Sequence, residues 1–222
     1  LPLYPQYSTT TTASSLAAWR RAYKGDGHVH AVCCYFDEPG FVAAHAALIR
    51  QAWEAAGSPQ PVRLLFSAHG LPRRISDAGD PYRGQVERSC AAVAAALGPG
   101  WDWRVCYQSR VGPMRWIGPE TLAELAAAGA EGLGVVIDPI AFVSEHVETL
   151  VELDRDYAAA AKRAGAQPYI RVPALGTHPR FIGALADLAE RALAGGAGVR
   201  PGGAGCPSPA SACALAEARR AA

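Results

Sequence analysis

LGVVIDPIAFVSEHVETLVELD, residues 133–154, holds two patterns in succession. Leu133 to Ile137 is apolar without alternation, as in a strand covered on both faces of a parallel sheet. After Asp138 and Pro139 the period changes to that of a helix, predicted over Ser144 to Ala164 with Ser144 as its N-cap. The same rhythm runs outward in both directions. Strands are predicted at Val62–Phe66, Trp103–Gln108 and Tyr169–Val172. Helices are predicted at Asp80–Leu97, after Pro119, and at Pro179–Leu193. Strands alternating with helices imply right-handed crossovers, so the chain from Val62 to Leu175 is predicted to be a four-stranded parallel sheet with helices on both faces. Upstream of the break Gly57-Ser-Pro-Gln-Pro61 only two strands are expected, at Leu1–Tyr4 and His28–Phe36. Helices from Ser14 or Ser15 and over Phe41–Ala56 accompany them. A free two-stranded parallel sheet is unusual, so this block reads as part of a lobe whose beginning lies outside the chain. Gly195 to Pro209 is low in complexity and reads as a mobile tail.

Half of the 222 residues are apolar, enough for a sizeable core and too many for a disordered chain. A net charge of +1 gives no basic face for nucleic acid. No apolar run is long enough to span a bilayer, and Leu1 to Thr12 does not read as a secretory leader. Cys33, Cys34, Cys90 and Cys106 lie in apolar segments, and Cys206 and Cys213 in the Gly/Pro-rich tail. Spacings this irregular favour reduced thiols in a cytoplasm over a disulfide framework. No glycine-rich phosphate loop follows any strand, which disfavours nucleotide binding.

Chemistry in an open α/β sheet gathers at the carboxyl ends of strands, and three such ends are polar here. Ser67-Ala-His69-Gly70-Leu-Pro72 puts a histidine just past one strand, suited to be a base or a metal ligand, or simply to cap a turn. Ser109-Arg110-Val-Gly-Pro-Met114-Arg115-Trp116 offers an aromatic ring and cations to a large flat anion. Glu145, Glu148, Glu152 and Asp156 advance by three, four and four, within about an 80° arc of an ideal helix. An ordinary amphipathic helix shows the same acidic stripe to solvent. Yet these acids lack basic partners one turn away, which leaves room for a cation. Together the three ends point to metal chemistry on a planar ligand.

At these residues the chain resembles the ferrochelatase family. LPLYPQYSTTTTASSL at 1–16, FSAHGLP at 66–72, GDPYRGQV at 79–86, YQSRVGPMRWIGP at 107–119 and PIAFVSEHVETLVELD at 139–154 carry the resemblance, in the family's order. It implies an α/β fold of two Rossmann-like lobes with parallel sheets, the first incomplete. The lobes would comprise residues 1–57 and 62–176, with a helix over 177–194 returning to the first lobe and a tail over 195–222. It implies insertion of Fe(II), as substrate, into protoporphyrin IX to give protohaem, in the bacterial cytoplasm, with room for peripheral attachment to the inner membrane. The alternatives are coproporphyrin III as substrate, or an inactive porphyrin-binding fragment. By the same resemblance His69 and Glu148 are the catalytic and metal-binding pair. Trp116, Met114, Phe142, Tyr82 and His146 line the porphyrin site, Asp80 lies beside it, and Glu145, Glu152 and Asp156 form an accessory acidic path. Animal members place a [2Fe–2S] ligand where this chain has Thr9. Some bacterial members use tail cysteines, which Cys206 and Cys213 match in placement, but two thiolates do not make a four-cysteine site.

Overall fold

The apolar runs pair as a parallel sheet. The computed structural model describes residues 1–203 and 211–215. In it β2 (Val62–His69), β3 (Asp102–Gln108), β4 (Gly134–Asp138) and β5 (Tyr169–Arg171) lie in the order β3-β2-β4-β5, parallel throughout. Successive strand residues point to opposite faces, and the core divides accordingly. Leu64, Phe66 and Val136 pack with Phe41, Ala44 and Ile49 of α2 (Pro39–Ala55) and with Val86, Cys90 and Val93 of α4 (Tyr82–Leu97). Leu65, Val135 and Ile137 pack on the other face with Leu125 and Ala128 of α5 (Thr121–Ala130) and Ala161 of α7 (Ala158–Ala164). These strand residues are fully buried, each side chain contributing about 1.5–3 kcal/mol. Gly129 lets α5 and the end of α7 approach, because a Cβ there would run into the Ala164 carbonyl.

Helix α2, expected with the first block, lies on the four-stranded sheet against α4, β4 and β5. Its start is fixed by Pro39 in the first turn and by the Glu38 carboxylate, which accepts from the Phe41 N–H at 2.9 Å. Helix α8 (Pro179–Ala194) packs on α2 and on β1 (His30–Val32).

Several local expectations are corrected. Leu1–Tyr4 is not a strand, and His28–Phe36 shortens to β1, since Tyr35 N–H turns to the Pro5 carbonyl at 2.8 Å. The start of the low-complexity segment is not a loose tail. Gly198–Arg200 forms β6, parallel to β1 in the register His30↔Gly198. Buried Ala31 and Val32 need partners for their backbone groups, and β6 supplies them. Residues 204–210 and 216–222 lie outside the described residues. The helix expected over Ser144–Ala164 is broken into α6 (Val147–Leu150), a π-helical stretch at Glu152–Tyr157, and α7. Its cap is His146, not Ser144: the His146 ring accepts from the Glu148 N–H at 3.2 Å, and the Thr149 hydroxyl accepts from the His146 N–H at 3.0 Å. Among the described residues no helix is long and apolar enough to cross a membrane.

Candidate active site

β2 delivers His69 at its last position. The His69 Nδ1 lies 2.6 Å from the Gly70 carbonyl. A carbonyl only accepts, so Nδ1 carries the hydrogen, and in the neutral form of the ring Nε2 presents a lone pair outward. That nitrogen lies 3.4 Å from Oε1 of Glu148, while Oε2 of Glu148 lies 3.7 Å from Nδ1 of His146. A lone pair facing a carboxylate is a place for one proton or one cation. Gly70 is needed beside it, because a Cβ there would press on the Gln108 carbonyl at 2.9 Å and on the Trp116 ring.

The neighbouring elements hold this pair in place. Tyr82, the first residue of α4, donates its hydroxyl to the His69 carbonyl at 3.0 Å, and burial pushes its phenol well above the ordinary value, so it remains a donor. Asp80 accepts the Tyr82 N–H at 2.9 Å on one oxygen. On the other it takes Ser8 Oγ at 3.0 Å, Thr9 N at 2.7 Å and Thr9 Oγ1 at 2.6 Å. The amino-terminal stretch is tied further by Gln6 Nε2 to Ser89 Oγ at 3.0 Å and by Tyr7 N to Gln85 Oε1 at 2.7 Å.

Between that stretch and the strand ends lies a cavity of 450 Å³, within the usual range for a small-molecule site. Its lining brings together His69, Glu148, His146, Phe142, Trp116 and Tyr82, with Leu71, Pro72 and Ile75 adding apolar surface. The Phe142 and His146 rings lie 5.1 Å apart. Trp116 is held by pairing across the wall, with Ile117 N–H on the Leu71 carbonyl at 3.0 Å and Arg73 N–H on the Arg115 carbonyl at 2.8 Å. Met114 lines a second cavity of 410 Å³ instead, together with Pro72, Arg73, Arg74, Asp77 and Arg115.

The rest of the acidic stripe is placed elsewhere. Glu145 pairs with Arg171 Nη1 at 2.6 Å and takes the Ala174 N–H at 2.8 Å. Burial works to raise the Glu145 carboxyl, but hydrogen bonds from Arg171, Thr149 and Ala174 hold it below the usual range. Arg171 also grips Asp154 at 2.6 Å, so the cation that the sequence left unnamed comes from β5. Glu152 turns to the end of β3, where it accepts from Gln108 Nε2 at 2.8 Å, Ser109 N–H at 3.1 Å and the Ser109 hydroxyl. Asp156 is exposed. The π-helical stretch adds a residue to the turn, so a step of four no longer returns to the same face.

Sequence reasoning missed Gln6, Ser8, Thr10 and Thr11 as cavity lining. It also missed Gln108, fully buried at the end of an apolar strand, where a buried amide is itself a signal that neighbouring groups need it. Among the described residues no group of three or more His, Cys, Asp or Glu is arranged to hold a metal ion. Cys213 is buried beside Ala214, which packs with Cys33 and Cys34, while Cys206 lies outside the described residues. The described thiols do not by themselves make the four-thiolate set of a [2Fe–2S] cluster.

Residues 1–193 match the family model described as ferrochelatase. The chain is 62% identical over 193 residues to a ferrochelatase of Phenylobacterium zucineum, covering 87% of this chain and 56% of that protein. It is 63% identical over 186 residues to one of Caulobacter vibrioides, covering 84% and 54%. It is 50% identical over 222 residues to one of Hyphomonas neptunium, covering 99% and 62%. The chain therefore spans little more than half the length of these curated relatives. The solved structure of SirB from Bacillus subtilis with Fe3+ has the same fold, with a TM-score of 0.55 at 15% identity over 86% of this chain and 69% of that one. With the family model matched over most of its length and close relatives bearing the same name, this chain belongs to the ferrochelatase family.

Proposed function

We propose that this chain carries the metal-insertion centre of a ferrochelatase and places Fe(II) into protoporphyrin IX, giving protohaem. The observation that carries the reading is the His69 Nε2 facing the Glu148 carboxylate across 3.4 Å on the wall of a largely apolar cavity. Trp116, Phe142, Leu71 and Ile75 offer the faces and edges that a flat macrocycle packs against. Fe(II) takes nitrogen and oxygen donors, and the pair supplies one of each. As each bond from iron to a ring nitrogen forms, the bonds from iron to His69, to Glu148 and to the remaining water ligands are lost, freeing Nε2, and the two pyrrole N–H bonds break. The electron pairs stay on nitrogen and two protons leave. The Nε2 of His69 is the acceptor for one, and the Glu148 carboxylate passes protons on. One Fe(II) enters, two protons leave, and the oxidation state does not change.

A second reading, coproporphyrin III as substrate, is favoured by the adjoining cavity, whose Arg73, Arg74 and Arg115 offer partners to a ring with more carboxylates. Anaerobic insertion rates of the chain with each porphyrin test the choice. A higher kcat/KM for protoporphyrin IX supports the first reading, and the reverse order supports the second. Binding of both without insertion identifies a porphyrin-binding fragment.

We infer a division into lobes of residues 1–57 and 62–176, with the helix over 177–194 on the first, supported by the separate sheets and by the packing of α8 on β1, with α2 of the first lobe lying across the second sheet. A cytoplasmic location is supported by the buried and unbridged cysteines Cys90 and Cys106. Peripheral contact with the inner membrane is supported by exposed Val111 and Met114 on the loop beside the cavities.

A further inference from the structure

Gln108 is fully buried and touches the backbone on both sides of the His69–Glu148 pair. Its strand position pairs with His69 in the β2–β3 register. Its carbonyl accepts from the Gly70 N–H at 2.8 Å, and the Gly70 carbonyl in turn receives Nδ1–H of His69. Its side-chain amide reaches the other partner: Nε2 donates to the Glu148 carbonyl at 2.7 Å and to Glu152 at 2.8 Å. The orientation of that amide is fixed. Two acceptors face one end, so the nitrogen must be there, and Oε1 at the other end takes the Ser67 hydroxyl at 2.8 Å. The connections form a closed circuit. It runs from the His69 ring to Gly70, from Gly70 to Gln108, from Gln108 to Glu148, and back across 3.4 Å to His69.

The circuit matters because α6, which carries Glu148, is a single turn that runs into the π-helical stretch. So short a helix has little rigidity of its own. Its position relative to β2 is set by what ties it down, and Gln108 ties it to the strand beside His69. We propose that Gln108 is a positioning residue that sets the separation of His69 and Glu148 and thereby the rate of metal insertion. It touches neither porphyrin nor metal, since it does not line the cavity. This assignment rests on the functional reading above and adds a residue to it.

The test uses the full chain with Gln108→Leu, which keeps approximate volume and removes the amide, and Gln108→Asn, which keeps the amide but withdraws it by one methylene. Imidazole 15N and 1H signals of His69 are recorded without porphyrin, alongside Glu148→Gln as reference. Porphyrin binding by fluorescence, metal KM and kcat are then measured. Displacing one partner of a reacting pair by about 1 Å costs roughly 100-fold in rate. The expectation is a kcat at least about tenfold lower for Gln108→Leu and a raised metal KM, with porphyrin Kd within about twofold of the parent. The His69 signals should move in the direction that Glu148→Gln moves them. Gln108→Asn should fall between, and it carries the test if Gln108→Leu does not fold. Unmoved His69 signals in a folded variant overturn the proposal, as does an unchanged kcat in an active parent. Should the parent insert no metal while the His69 signals still shift, the positioning role stands and the functional reading fails.

Discussion

Glu148 ends 3.4 Å from an imidazole nitrogen inside the cavity, whereas Glu152, four residues on, is taken up by donors from the end of β3. Two acids of one type and one stripe therefore differ in what their charge is free to do. Glu148→Gln keeps the shape and removes the charge, so metal insertion should fall at least about tenfold in a protein that still folds. Glu152→Gln removes the charge from hydrogen bonds that hold the π-helical stretch to β3. It should lower stability by about 1–3 kcal/mol and cost turnover less than Glu148→Gln. Asp156→Asn, on the exposed face, should change stability by no more than about 0.5 kcal/mol and turnover least of all. Steady-state insertion rates and urea unfolding of the three variants check the order. An Asp156→Asn variant as impaired as Glu148→Gln would mean that the acidic path does extend outward.

Among the elements, those with strong periodicity are legible in the sequence itself. Val62–Phe66, Trp103–Gln108, Leu133–Ile137 and Tyr169–Val172 all fall on strands of the parallel sheet, most plainly for Val62–Phe66 and Leu133–Ile137, whose apolar runs are buried on both faces. His69 is legible through its place after such a run, and Trp116 through its neighbours. Less can be read where tertiary contacts override local pattern. The acidic stripe assumes an uninterrupted α-helix, and the π-helical turn at Glu152–Tyr157 redirects it. Arg171 lies 26 residues from Glu145, so no local spacing announces their pair. Gly198–Arg200 carries one large apolar residue, Val199, and becomes a strand because β1 needs a neighbour. The Glu145–Arg171 pair has a pH signature. Its folded carboxyl titrates below the ordinary value of 4.5. Its stabilisation is therefore complete above that value and is lost as the pH falls through the folded one. The stability difference between the parent and Glu145→Gln should be present near about pH 6 and absent near about pH 2, within about 1 kcal/mol because the pair is partly solvated. A difference that persists unchanged in acid would show that Glu145 acts through packing and not through its charge.

On the scale of the whole molecule, the cavity exists because the amino-terminal stretch is held against the four-stranded sheet. Asp80 is the principal pin, receiving Ser8 and Thr9 on one oxygen and Tyr82 on the other. Asp80→Ala should lower stability by about 1–3 kcal/mol through the donors it leaves unpaired. It should also weaken porphyrin binding, because Tyr4, Gln6, Thr10 and Thr11 form that wall. Fluorescence titration with protoporphyrin IX checks this, and unchanged affinity would show that the stretch does not contribute to the ring site. Metal insertion at this site depends on His69. The most direct measurement is anaerobic insertion of Fe(II) into protoporphyrin IX by the full chain and by His69→Ala, followed by haem absorbance, with porphyrin binding measured on the same samples. The expected result is haem formation by the parent, and less than about one per cent of its rate in the variant, at nearly equal porphyrin affinity, as for loss of a proton acceptor and metal ligand. Haem formation by His69→Ala at a rate close to that of the parent would contradict the account.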